Sequence, residues 1–92
     1  MLFAIRCFDK DGHQEVRKRT RDEHLAYLNG QLDKIRMAGP LLADDGATPV
    51  GSLLLIEVPD RAAAESFAAG DPYAKAGLFD SVEIAGWKHV LP

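Results

Sequence analysis

A single cysteine, Cys7, excludes an internal disulfide and fits a reducing compartment. No apolar run approaches the ~20 residues of a membrane span, and no cleavable leader precedes the first strand, so the expected setting is the cytoplasm, away from any membrane. Basic residues are outnumbered, 11 Lys and Arg against 14 Asp and Glu, so no global field draws in nucleic acid. No aromatic residues interleave the basic run Arg17-Lys18-Arg19 either. Histidines, the cysteine and carboxylates nowhere show the spacing of a metal site. Ser52 and Ser66 lack a nucleophile motif, and the glycines around Gly46 and Gly51 form no phosphate cradle, so neither metal nor cofactor is expected.

What is present is an ordinary globular composition, 47% apolar and 27% charged, in 92 residues that make one domain over 1–92. A chain of this size buries only roughly 60–65% of its unfolded surface, so a lone copy is marginal and self-association is a ready remedy.

Residues 2–8 read as a strand whose two alternating sets are both largely apolar, so both of its faces need cover. Asp9 to Gly12 form a polar turn. A helix follows over 17–38, starting anywhere between His13 and Arg21, with a Thr20–Glu23 capping box as a point where it could break and Gly39-Pro40 as its stop. Residues 41–43 make a short strand, and 52–58 (SLLLIEV) the clearest one, again apolar on both sides. Asp60 caps a second helix to Ala69, Asp71-Pro72 opens a short third over 72–76, and 81–90 is the last strand. The order is β-α-β-β-α-β, an α+β ferredoxin-like sandwich with a four-stranded antiparallel sheet and two main helices on one face. The other sheet face still carries Leu, Ile and Phe, interrupted by Arg6, Glu57 and Lys88 on one side or the other. A second copy stacked on it predicts a homodimer with an α/β-barrel-like core.

At about 100° per residue, His24 falls within the apolar stripe of the first helix with Leu25, Leu28, Leu32 and Ile35, and Tyr27 flanks it. Arg17 and Arg21 border that stripe, while Lys18 and Arg19 point away. A titratable imidazole on the buried side of a helix is either a core histidine satisfied by a carbonyl or a functional group whose neighbours tune it. In this fold the later helices approach the middle of the first, so Asp71 can reach His24 and orient it as a general base, besides capping its own helix with the other oxygen. Arg17 and Arg21 read either as a solvated face or as bidentate partners of a carboxylate or phenolate. Tyr27, Tyr73 and Trp87 read as core or pocket wall, Tyr73 being the one beside Asp71. Ser52 opens a strand next to Gly51 and is a candidate for holding a developing anion. His13 and His89 are expected to be exposed.

The motifs Arg21-Asp22-Glu23-His24-Leu25-Ala26-Tyr27-Leu28, Ala38-Gly39-Pro40-Leu41, Gly51-Ser52, Gly70-Asp71-Pro72-Tyr73, Ala76-Gly77-Leu78-Phe79 and Val82-Glu83-Ile84 with Trp87, in this order, resemble the YciI-like (YCII-related) family nearly end to end. The resemblance implies a ferredoxin-like dimeric α/β barrel and an active site at His24 and Asp71. One branch of that family resembles dehydrochlorinases of chlorinated hydroxyquinols, and the wider superfamily includes muconolactone isomerases.

Two functional classes follow. In one, His24 and Asp71 catalyse elimination or isomerisation of a small, aromatic-derived acid without a cofactor, and Arg17, Arg21, Ser52 and Tyr73 bind it. In the other, the same pocket binds a small molecule without turning it over.

Overall fold

In the computed structural model, which describes Met1–Pro92, the strands that are apolar on both sides lie in the centre of the sheet. The elements are β1 (Leu2–Asp9), α1 (Gln14–Asn29), β2 (Ile35–Leu42), β3 (Pro49–Glu57), α2 (Arg61–Gly70), α3 (Pro72–Lys75) and β4 (Phe79–Trp87). The sheet order is β2-β3-β1-β4, and every neighbouring pair is antiparallel. This is the ferredoxin-like α+β arrangement. Phe3, Ile5 and Cys7 of β1 and Leu54 and Ile56 of β3 point to one face, where they pack with Leu28 of α1 and Ala64 and Phe67 of α2. Tyr27 Oη donates to the Phe67 carbonyl at 2.9 Å and ties the two long helices together.

The first helix departs from the sequence expectation at its C-terminal end. It stops at Asn29, where the Gly30 N–H bonds to Ala26 O at 3.1 Å, and a run of tight turns leads to β2. Residues 35–38 are strand, and Gly39-Pro40 lies inside β2 instead of ending a helix. The reason is positional: β2 is an edge strand, where a residue without an N–H is tolerated. Leu32 and Ile35 fell on the helical stripe by coincidence of spacing, and Leu32 is 62% exposed. Nor does the helix break at Thr20, which is buried within a continuous α1. The strand expected at 41–43 starts earlier, at Ile35, and the last strand covers Phe79–Trp87 instead of 81–90.

The second half of the chain follows its capping signals. Asp60 accepts from Ala63 N at 2.9 Å to start α2. The four-residue α3 ends in a Schellman motif: Gly77 at φ 73° donates to Ala74 O, Leu78 donates to Tyr73 O, and the Leu78 side chain is fully buried.

Gly51, in β3 beside β1, marks a close backbone approach. A Cβ there would lie 2.3 Å from the Cys7 carbonyl oxygen, which belongs to the sheet and cannot step aside. Gly51→Ala is expected to cost about 1–3 kcal/mol, read as a lower urea midpoint; an unchanged midpoint would show that the two strands can spread.

Candidate functional site

The buried face of α1 is mostly polar. Its buried residues are Arg17, Thr20, His24 and Leu28, spaced three and four apart on one side of the helix. Only Leu28 of these joins the apolar core. Buried polar groups of this kind need partners, and the partners come from three other elements.

His24 meets Asp71, which lies in the joint between α2 and α3. Asp71 is extended (φ −62°, ψ 126°), is 3% exposed, and its Oδ1 accepts from Tyr73 N at 2.9 Å. The same oxygen lies 2.8 Å from His24 Nδ1, so one oxygen both caps α3 and faces the imidazole, where the sequence reading divided these roles between two. A carboxylate facing Nδ1 selects the tautomer in which Nδ1–H donates and Nε2 keeps its lone pair. Nε2 has no protein partner, and no buried side-chain polar atom in the structure is unpaired, so Nε2 is open to the adjoining cleft. The imidazole stacks on the Tyr73 ring with centroids 4.0 Å apart and planes within 16°.

Arg17 occupies the other side of Tyr73. Its guanidinium carbon is 4.6 Å from the ring centroid, a cation–π contact. Nε and Nη2 donate to both oxygens of Asp9 at 2.7 and 2.9 Å, and each side chain is only 9% exposed. Nη2 also donates to Ser52 Oγ at 3.0 Å. Burial pulls the guanidinium toward its neutral form, but the hydrogen bond and charge of Asp9 outweigh it and hold its pKa above the ordinary value. For Tyr73, burial pushes the phenol up against the pull of Arg17 and Arg21, so it stays protonated. Cys7 lies below the site; burial first, then the Asp71 charge, push its thiol up to about 12, which removes it as a nucleophile at neutral pH.

These groups border a cleft of about 540 Å³ between α1 and the β2–β3 hairpin. His24, Arg17, Ser52 and Tyr73 reach into it, Leu25 and Leu28 form part of the α1 wall, and Ala38, Gly39 and Pro40 the β2 wall. Arg21 stands exposed on the lining without an ion-pair partner. Lys18 also lines the cleft, which corrects the expectation that it points away; only Arg19 does so. The hairpin tip contributes Ala47 and Thr48, and its shape is held by Asp45, whose carboxylate accepts from both of their backbone N–H groups. Hydrogen bonds from Thr48 and Ala47 draw Asp45 down to about 2.

All six residues singled out from the sequence therefore gather in one place, with Asp71 behind His24 and not itself on the cleft. Trp87 does not belong to it, being 41% exposed on the far side of the sheet, and Tyr27 belongs to the core. His13 is half-buried in its loop, bonded to the Asp11 carbonyl, and His89 is exposed. No group of three His, Cys, Asp or Glu side chains is arranged to hold a metal ion. A buried charge beside the cleft that the sequence pattern assigns to a turn is Asp9, the partner of Arg17. Its signal was strand parity: Phe3, Ile5, Cys7 and Asp9 share a face of β1, so the first charge beyond the apolar row lands beneath α1.

The family model of the YCII-related domain matches residues 1–88. Protein YciI of Escherichia coli O6:H1 is 35% identical over 98 residues, which span 99% of this chain and 100% of that protein. An uncharacterized protein of Haemophilus influenzae is 33% identical over 99 residues with the same coverage. Among solved structures, the 5-chloro-2-hydroxyhydroquinone dehydrochlorinase (TftG) of Burkholderia phenoliruptrix, in complex with 2,5-dihydroxybenzoquinone, matches with a TM-score of 0.90 at 38% identity, over 98% of this chain and 96% of that one. An antibiotic biosynthesis monooxygenase matches at a TM-score of 0.58 and 16% identity, covering 99% of this chain and 100% of its own, and shares the fold alone.

Asp9→Asn keeps an acceptor for Arg17 but removes the opposing charge from a nearly closed pair. The expected cost is about 1–3 kcal/mol in urea unfolding, and an unchanged unfolding free energy would show that Arg17 is held by its other contacts.

Proposed function

Because the chain belongs to the YCII-related family, we propose that its cleft is the active site of a cofactor-free small-molecule enzyme, with the His24–Asp71 pair as general acid and base. The supporting observation is the division of the imidazole between its two nitrogens: Nδ1 is fixed on a buried carboxylate while Nε2 is left for a ligand. That the similar TftG is a dehydrochlorinase supports a reaction that begins with proton removal.

In this mechanism Nε2 takes a proton from a carbon or hydroxyl of a small acid. The electron pair left behind forms a new π bond, and charge that develops on a substrate oxygen is held by Arg21 and Ser52. Ser52 suits the task because its Oγ accepts from Arg17, which leaves its own hydroxyl hydrogen free to donate. In an elimination the leaving group departs with its electron pair as an anion. In an isomerisation the imidazolium, stabilised by Asp71, returns the proton to a different atom. Tyr73 keeps the ring plane fixed from below, and Arg17 is its buttress.

The sheet face away from the helices supports a homodimer as the working form. By strand register, Leu2, Ala4 and Phe8 of β1, Leu53 and Leu55 of β3, Met37 of β2 and Trp87 of β4 share that face. Phe8, Leu53, Met37 and Trp87 remain substantially exposed. The Arg6 charge that interrupts the face is paired with Glu83 in the neighbouring strand, which lowers the cost of covering both.

With 5-chloro-2-hydroxyhydroquinone as the first probe, chloride release is the measurement. His24→Ala is expected to slow it by about 10²–10⁴-fold, and Asp71→Asn by a similar factor through loss of the tautomer. Turnover that survives His24→Ala would overturn the general-base role, and ligand binding without any turnover would assign the cleft to a binding module. Sedimentation equilibrium is expected to give twice the 10.0 kDa of one chain, with Leu53→Asp shifting the protein to a single chain. A wild-type mass of one chain would end the dimer reading.

A further inference from the structure

Charge on the cleft lining runs against the charge of the molecule. The lining carries three cations, Arg17, Lys18 and Arg21, and no carboxylate, although acidic side chains outnumber basic ones 14 to 11 in the chain as a whole. The three are not equivalent. Asp9 cancels Arg17 at hydrogen-bond distance. Lys18 has only the exposed Glu15 at 3.6 Å, a pair that water and salt screen. Arg21 has no acidic partner at all.

These charges are also sorted along α1. Gln14, Lys18 and Arg21 come first on the side that lines the cleft, and Leu25 and Leu28 follow on the same side. The β2 wall opposite contributes Ala38 and Pro40 and no charge. His24 falls between the two halves, three residues after Arg21, a spacing that sets their Cβ atoms about 5–6 Å apart.

From this sorting we propose that the cleft takes a small monoanion with an apolar body, in one orientation. Its carboxylate or phenolate meets Arg21 and Lys18, and its apolar part lies between Leu25, Leu28 and the β2 wall. The assignment deepens the acid–base reading of the same site, because it brings the junction between the charged group and the apolar body to His24 Nε2. The proton removed is then one close to the anionic group and not one at the distal end.

The test measures binding and needs no turnover. Benzoate, benzyl alcohol and acetate are titrated into the protein and followed by ¹H–¹⁵N chemical shifts. Benzoate is expected to bind at least about tenfold more tightly than benzyl alcohol, which lacks the charge, or acetate, which lacks the ring. Its affinity is expected to fall as salt rises. Arg21→Gln and Lys18→Gln, changes at exposed positions, are each expected to weaken the preference for benzoate over benzyl alcohol, and the two together to erase it. Intermolecular NOEs are expected from the para proton of benzoate to the Leu28 methyls. Equal affinities for the three probes, no binding of benzoate, a preference left unchanged by either single variant or surviving the double one, or NOEs placing the para proton at Lys18 would each overturn the proposal. His24→Ala is expected to keep the charge preference, so a failure of the acid–base mechanism and a failure of this assignment give different results.

Discussion

One carboxylate oxygen, Asp71 Oδ1, holds together the part of the molecule that a ligand would meet. It accepts the Tyr73 N–H that begins α3 and the Nδ1–H of His24. A helix of four residues cannot stand on its own hydrogen bonds, so α3 exists because both ends are fixed: Asp71 at one, the Gly77 motif with buried Leu78 at the other. Fixing α3 fixes Tyr73, and the Tyr73 ring in turn has His24 on one side and Arg17 on the other. The stack is thus assembled around a backbone cap. Burying Asp71 without those two donors would cost several kcal/mol; with them, the oxygen is satisfied and the imidazole is aimed.

A similar economy governs the floor. The sheet rows that carry the apolar core continue, in the same parity, into the polar site. On β1 the row runs Phe3, Ile5, Cys7 and then Asp9; on β3 it runs Ile56, Leu54 and then Ser52. Arg17 closes the two ends by bonding both Asp9 and Ser52. The core and the site are one surface, apolar under α2 and the C-terminal half of α1 and polar under its N-terminal half. A register slip of one residue would turn Asp9 and Ser52 to the opposite face together with the whole apolar row, so the packing that selects the fold also selects the site.

This continuity explains how far the sequence could be read. The central strands declared themselves by being apolar on both sides, and Asp60 and Asp71-Pro72 by their capping chemistry. His24 and Asp71 could be paired because the topology brings the later helices over the middle of α1. What failed was the stretch after Asn29: Leu32 and Ile35 extended a helical period into residues whose fate is decided by pairing with β3, a non-local interaction that no local pattern encodes. Lys18 was misplaced for a related reason. A helix half-covered by a hairpin presents a wider lining than its apolar stripe, and Lys18 shares the cleft lining with Ala47 and Thr48 of the hairpin tip. Asp9 was passed over because a carboxylate followed by Lys, Asp and Gly has the composition of a turn. Only its partner on α1 gives it another role.

The polar character of the α1 underside has a consequence for stability that joins these threads. With Leu28 its only buried apolar residue and half-buried Tyr27 beside it on the core, α1 is not anchored by hydrophobic burial along its length. Its N-terminal half is held by Arg17 on Asp9 and its middle by His24 on Asp71, so the interactions that shape the cleft are also those that dock the helix. Such interactions are directional, since each needs its donor and acceptor at about 3 Å and well aligned. A helix docked this way has one seating, and the spacing between Arg21, His24 and the floor at Ser52 is fixed with it. The molecule forgoes some core in α1, and in return the geometry of the cleft is set by hydrogen bonds within the protein itself.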